Sequence, residues 1–112
     1  MRRLCELTDL PEGTARGFAP APGGFVGLFA VRQNDRVHVY LNSCPHIGVA
    51  LDWAPSQFLS HDKQHIVCAT HGAEFSIEAG EALSGPCQGD RLTKIDHCIE
   101  NGALWVAADA GL

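Results

Sequence analysis

The sequence predicts an all-β fold of short antiparallel strands, and three observations carry that prediction. Residues 37–41, Val-His-Val-Tyr-Leu, alternate with period two, the spacing that sends successive side chains to opposite faces of a sheet. Asn101-Gly102 separates two strand-like runs, and that dipeptide suits the type I′ turn of a two-residue hairpin. No helical face of ten or more residues is visible, so nothing competes with the strand reading.

Taken in order, residues 4–7 read as an opening strand. The Pro20-Ala21-Pro22-Gly23-Gly24 stretch is a loop, and residues 25–31 after it are an apolar run of strand length. Gln33-Asn34-Asp35 is the turn into residues 37–41, because Asn and Asp tolerate turn conformations. His65-Ile66-Val67 is a further short strand. The last hairpin pairs residues 92–99 with 103–107 across Asn101-Gly102. A chain of 112 residues with 46% apolar content is one domain and can fill one core. Antiparallel strands bury a face against another sheet or close on themselves. Residues 1–41 and 90–112 are therefore expected to form a base, with 42–89 inserted as a lobe of hairpin loops.

The inserted loops carry the chemistry. Cys44-Pro45-His46 is followed, after 21 residues, by Cys68-Ala69-Thr70-His71, which supplies two thiolates and two imidazoles in matched pairs. Thiolate favours iron–sulfur clusters, zinc and cuprous copper, while imidazole serves iron, copper and zinc, so the ligand types leave several metals open. The arrangement narrows them, since one Cys and one His per loop lets two loops place both Cys on one iron and both His on the other of a 2Fe-2S cluster. A structural zinc module is the alternative from another class. Its modules pair Cys with Cys and His with His at characteristic gaps, a pattern these mixed pairs fit poorly. A catalytic Cys-His pair would not need two matched pairs, and no hydrolase signature accompanies them.

The stretches Cys44-Pro45-His46-Ile47-Gly48-Val49-Ala50-Leu51 and Cys68-Ala69-Thr70-His71-Gly72-Ala73-Glu74-Phe75 resemble the two cluster-binding boxes of the Rieske iron–sulfur family. The match is close from Asn42 to Cys87 and extends to the flanks only in their strand pattern. The resemblance implies a Rieske-like antiparallel β-sandwich or barrel base with an inserted cluster-binding lobe. It also implies one Rieske 2Fe-2S cluster per chain, ligated by Cys44, His46, Cys68 and His71. Gly48 and Gly72 would end the boxes in tight turns, since Gly enters positive φ without steric cost. Gly85-Pro86-Cys87 resembles the third, shielding loop.

Further expectations follow from the same resemblance. Val49 and Thr70 stand where some respiratory members carry an extra disulfide, so that bridge is expected to be absent. Ala73 and Phe75 replace a Ser and a Tyr whose hydroxyls raise the potential, so the low end of the range of about -150 to +300 mV is expected. The function implied is one-electron transfer from a flavin- or NAD(P)H-dependent reductase to a terminal oxygenase or similar enzyme. The chain would then be a component of an oxidoreductase system rather than a catalyst itself. Its docking face would surround Ile47, Gly48, Gly72 and Pro86. A small 2Fe-2S subunit of a larger reductase, like the small subunit of nitrite reductases, is the runner-up. An oxygenase catalytic subunit would need a second domain that 112 residues cannot hold.

Charge and composition set outer limits. A formal charge of -5 and the lack of a basic stripe argue against nucleic acid, whose binding rests on Lys and Arg contacts to phosphate. No stretch approaches the roughly 18–20 continuous apolar residues that cross a bilayer, so no membrane partner is expected. Arg2-Arg3 is followed by Glu6 and Asp9 rather than by the apolar run of an export signal. Five Cys, an odd number without a secretory segment, fit metal chemistry in a reducing compartment, and the cytoplasm is the expected location. Cys5 and Cys98 read as small apolar strand residues, and Cys87 as a neighbour of the shielding proline. His38, His61, His65 and His97 read as ordinary strand or loop residues. Trp53 and Phe58 are expected to form a local core under the loop between the boxes.

Overall fold

A computed structural model of the chain describes residues 2–19, 26–43, 51–52, 58–60, 62–68, 72–84 and 90–107. These form β1 (Arg2–Glu6), β2 (Thr14–Phe18), β3 (Leu28–Gln33), β4 (Arg36–Leu41), β5 (His65–Val67), β6 (Glu74–Ser76), β7 (Ala82–Ser84), β8 (His97–Glu100) and β9 (Ala103–Val106), with one 3-10 turn at Leu7–Asp9. Three antiparallel sheets result, in the orders β1-β9-β8, β2-β3-β4 and β5-β6-β7. The described residues contain no α-helix. The fold is all-β, as the alternation and turn signals predict.

The β2-β3-β4 sheet is covered on both faces. Alternate residues of β3 and β4 go opposite ways: Leu28, Ala30 and Val39 pack with Cys5, Leu10, Leu104 and Val106. Phe29, Val31 and Tyr40 instead join Leu51, Phe58, Ile66, Cys68 and Phe75. A strand buried on both faces needs a continuous apolar run, which is what residues 28–31 spell. The strand starts at Leu28 rather than at residue 25 because Leu28 pairs with Phe18 and Leu41, the last residues of both neighbouring strands. Phe25 lies outside the described residues.

Both hairpin turns sit where the sequence puts them. Asn34 and Asp35 have φ of 54° and 61°, and Asn101 and Gly102 have 51° and 73°, the paired positive values of a type I′ turn. The Glu12 carboxylate holds the first turn by accepting the Asn34 and Asp35 amides at 2.7 and 2.8 Å. Two elements differ from expectation at their edges. The opening strand ends at Glu6, and residues 7–9 turn away from it. Of residues 92–99 only His97 onward pairs with β9. The stretch before it is claimed elsewhere, since the Leu41 amide donates to Thr93 O at 2.9 Å, Ile95 N to Val39 O at 2.8 Å and Leu92 N to Gly80 O at 2.8 Å.

One aromatic layer ties the central sheet to the β5-β6-β7 sheet. Phe58 stacks on Phe29 with centroids 4.4 Å apart and planes within 9°, and Tyr40 lies 5.7 Å from Phe29, tilted by 36°. Phe58 therefore belongs to the principal core rather than to a separate one under its loop; Trp53 lies outside the described residues. The buried Tyr40 hydroxyl donates to Ile77 O at 2.5 Å. Gly80 makes room for that ring: at φ +68° it has the left-handed backbone, and a Cβ there would stand 2.8 Å from Tyr40 Cε1.

Candidate metal centre

The second Cys-His box is built on the β5-β6 hairpin. Ile66 pairs with Phe75 on the buried face and Val67 with Glu74 on the other. Continuing the alternation, Cys68 and Ala73 fall on the buried face, and both are 0% exposed. The Cys68 amide donates to Ala73 O and Cys68 O accepts from the Gly72 amide, each at 2.9 Å. Gly72 closes this turn at φ 68°, the positive value expected at the end of the box. His71 lies in sequence between these bonded ends.

The first box leaves the end of β4 through Asn42. The Asn42 amide donates to Gly27 O at 2.9 Å. Its side chain does more: Oδ1 accepts the Leu51 amide at 2.8 Å, and Nδ2 donates to Asp52 Oδ1 at 3.1 Å. One side chain thus ties together the two ends of the segment that holds Cys44 and His46. Leu51, fully buried, belongs to the same core as Cys68 and Ala73. The described flanks of the two boxes therefore rest on one apolar floor. The sequence reading gave Asn42 no role; the available signal was the habit of Asn side chains of bonding nearby backbone at turns.

Of the four candidate ligands, the described residues include Cys68. Cys44, His46 and His71 lie outside them, as do Ile47, Gly48, Val49, His61, Thr70, Gly85, Pro86 and Cys87. Among the described residues no three His, Cys, Asp or Glu side chains gather into a metal site. Cys5 is buried in the opposite core, and its thiol pKa is raised, chiefly by burial, with Asp9 adding to the rise against Arg16 and Arg3. That is an inert thiol. Cys98 is half-buried on β8, and His38, His65 and His97 stand on β4, β5 and β8.

The family model described as Rieske [2Fe-2S] domain matches residues 2–99. The chain belongs to the Rieske family. No curated protein matches it by sequence. Among solved structures, the ferredoxin of Sphingomonas yanoikuyae B1 is 25% identical, with a TM-score of 0.73 over 94% of this chain and 95% of that one. A chain from the complex of reduced oxygenase and oxidized ferredoxin in carbazole 1,9a-dioxygenase is 24% identical, with a TM-score of 0.75 over 95% of this chain and 100% of that one. The terminal oxygenase of carbazole 1,9a-dioxygenase from Novosphingobium sp. KA1 is 18% identical, with a TM-score of 0.76, and is covered over 28% of its length.

A Rieske domain carries a 2Fe-2S cluster, and the residues present fit that group. Cys68 faces a core of Leu51, Ile66, Ala73 and Phe75, where a bare thiolate is costly because an apolar surround cannot solvate its charge. Coordination to a cluster iron would supply the missing positive charge. Leu51, Ile66, Ala73 and Phe75 are themselves shut off from water. Neither Ala73 nor Phe75 brings a hydroxyl to it, so the second box contributes no side-chain donor from these two positions.

Proposed function

We propose that this Rieske protein is a one-electron carrier of the ferredoxin type, taking electrons from a flavin- or NAD(P)H-dependent reductase and passing them to a terminal oxygenase. Cys44 and Cys68 hold one iron and His46 and His71 the other. The observation that carries the reading is the seating of both box flanks on one buried floor, in a fold that overlays whole ferredoxin chains. When bound, the cluster supplies one reversible electron. The chain's own residues limit rearrangement around it: Asn42 clasps the ends of the first box, and paired backbone bonds close the second. Without hydroxyl donors at Ala73 and Phe75 the added electron is less stabilised, which suits a low-potential carrier.

The net charge of -5 favours partners with basic docking surfaces and encounter rates that fall with salt. No helix among the described residues is long and apolar enough to cross a membrane. The cytoplasm, where NAD(P)H is supplied, is the compartment that fits the proposed donor. The test uses protein purified without oxygen. Iron and sulfide in equal amounts, a Rieske-type EPR signal on reduction, and rapid reoxidation by an oxygenase component encoded near its gene are expected. Colourless protein holding stoichiometric zinc would make the chain a structural module, and an intact cluster that no such oxygenase reoxidises would refute the carrier role.

A further inference from the structure

At the other end of β4 from Asn42 lies a cleft of about 530 Å³. Arg36 begins the strand at the cleft and Leu41 ends it beside the first box, on the order of 15 Å away at the rise of a strand. The cleft is unusual in its charge. The chain carries -5 overall and has eight Lys and Arg, yet three of them, Arg32, Arg36 and Lys94, line this one space. Arg32 is already committed, bonded to Leu7 O and Leu10 O at 3.3 Å and paired with Asp35 at 2.9 Å. Asp35 is the only acid lining the cleft among the described residues.

Arg36 and Lys94 remain. Both are exposed, and neither forms an ion pair among the described residues; Lys94 donates only to Glu78 O, at 3.3 Å. His38, two residues from Arg36 on β4, lines the same cleft at 8% exposure. Its pKa is lowered, first by burial and then by Lys94, with His97 and Arg36 adding and Glu78 opposing. Arg36, His38, Lys94 and His97 line this one cleft. The remaining wall is apolar: Val37 lines the cleft beside Ile99, and Ile99, at 42%, is one of two exposed large hydrophobic residues among those described.

Unspent positive charge beside exposed apolar surface is the signature of an amphipathic anion site. We propose that this cleft binds a small organic anion, with its carboxylate or phosphate on Arg36 and Lys94 and its apolar body against Val37 and Ile99. The volume falls within the range of about 300–1,000 Å³ usual for small-molecule sites, and the recessed His38 favours a compact ligand over the acidic segment of another protein. The site shares no residue with the metal boxes, so it stands whether or not the carrier reading does.

Calorimetry and amide NMR on the cluster-loaded protein test it with benzoate, phenyl phosphate, benzyl alcohol, inorganic phosphate and a hexaglutamate peptide. Benzoate or phenyl phosphate should bind at least tenfold more tightly than either benzyl alcohol or inorganic phosphate, with shifts centred on Val37, His38 and Ile99. Either order of the two supports the site and names its anion. The Arg36→Gln/Lys94→Gln double variant should weaken that binding at least tenfold while keeping the visible spectrum and melting temperature. Arg36→Gln alone should weaken it severalfold and serves if the double variant does not fold. Benzyl alcohol or inorganic phosphate binding as tightly as the organic anions overturns the proposal, as do shifts elsewhere or an undiminished variant. Binding of hexaglutamate alone would give the cleft to an acidic protein segment and overturns it too.

Discussion

The two faces of the β2-β3-β4 sheet are built from different materials. Toward β1-β9-β8 the buried side chains are Leu10, Leu28, Ala30, Val39, Leu104 and Val106 with Cys5, and no fully buried ring is among them. Toward β5-β6-β7 the core holds Phe29, Tyr40, Phe58 and Phe75 with Cys68. Aliphatic packing is adaptable and tolerates volume-conserving exchange. Stacked rings with a hydrogen-bonded hydroxyl fix distance and orientation as well. Both faces supply stability; the second also carries the described flanks of the two Cys-His boxes. Each face also buries one cysteine, which makes the division directly testable.

The largest contrast is between those two cysteines. If Cys68 is the thiolate ligand we propose, Cys68→Ala should abolish the cluster, because losing a ligand exposes iron and loosens the loop that held it. Cys5→Ser should keep full iron and sulfide and lose only some stability from a buried hydroxyl. Iron and sulfide analysis with the visible spectrum decides it, and a Cys5 variant without iron beside a Cys68 variant that keeps it would reverse the assignment of the faces.

Truncating one large side chain on each face comes next. Phe29→Ala should cost about 3–5 kcal/mol and Leu104→Ala about 2–5 kcal/mol, so stability alone does not separate them. Cluster release does. With Phe29 gone, the Phe58 ring loses its stacking partner, and iron should escape to a chelator several times faster while circular dichroism still reports the folded sheet. Leu104→Ala should lose fold and cluster together along one urea transition. Parallel behaviour of both variants would mean that the aromatic layer does not position the boxes.

Tyr40 offers a smaller effect with a sign in pH. Tyr40→Phe leaves the buried Ile77 carbonyl without its donor, a loss of about 1–3 kcal/mol. Burial, with Glu78 adding, pushes the Tyr40 pKa up to about 12. The unfolded chain ionises this phenol near the ordinary value of about 10. The stability held by the neutral phenol is therefore complete below pH ~10 and declines as pH rises toward 12. Urea midpoints measured from pH 8 to 11.5 should fall more steeply for wild type than for Tyr40→Phe, and identical slopes would show that the hydroxyl ionises as freely folded as unfolded.

What the sequence reveals here is what local chemistry determines. Alternation in β4 and the Asn101-Gly102 turn are legible because each depends on its own few residues, and the Rieske family is legible because each box sets Cys and His with only one or two residues between them. Residues 14–18 give no such signal: Thr-Ala-Arg-Gly-Phe has no period, and the segment is a strand because β3 pairs along all of it. β6 and β7, three residues each, are too short for periodicity to register. Residues 92–96 follow partners in β4 and at Gly80 rather than their neighbour across the last hairpin. Asn42 finds its acceptor role across nine residues at Leu51. The cationic cleft brings Lys94 to Arg32 and Arg36 of the β3-β4 hairpin, so no basic stripe marks it in the chain.

The smallest expected effect asks how close the aromatic face comes to the cluster itself. Ala73 is the antiparallel neighbour of Cys68, on the same buried face and fully enclosed. Ala73→Ser adds one hydroxyl donor to a floor of apolar side chains, and a buried donor either finds an acceptor or costs about 1–3 kcal/mol. Cluster sulfur is the acceptor that the carrier reading provides. If the hydroxyl reaches it, the more negative reduced state is stabilised, and the midpoint rises while the melting temperature holds. If the hydroxyl meets only hydrocarbon, the midpoint stays where it was and the melting temperature falls. Protein-film voltammetry and calorimetry on the same sample separate the two, and the second outcome would place Ala73 with the aliphatic cysteine's side of the comparison: a packing residue, with no reach to the metal.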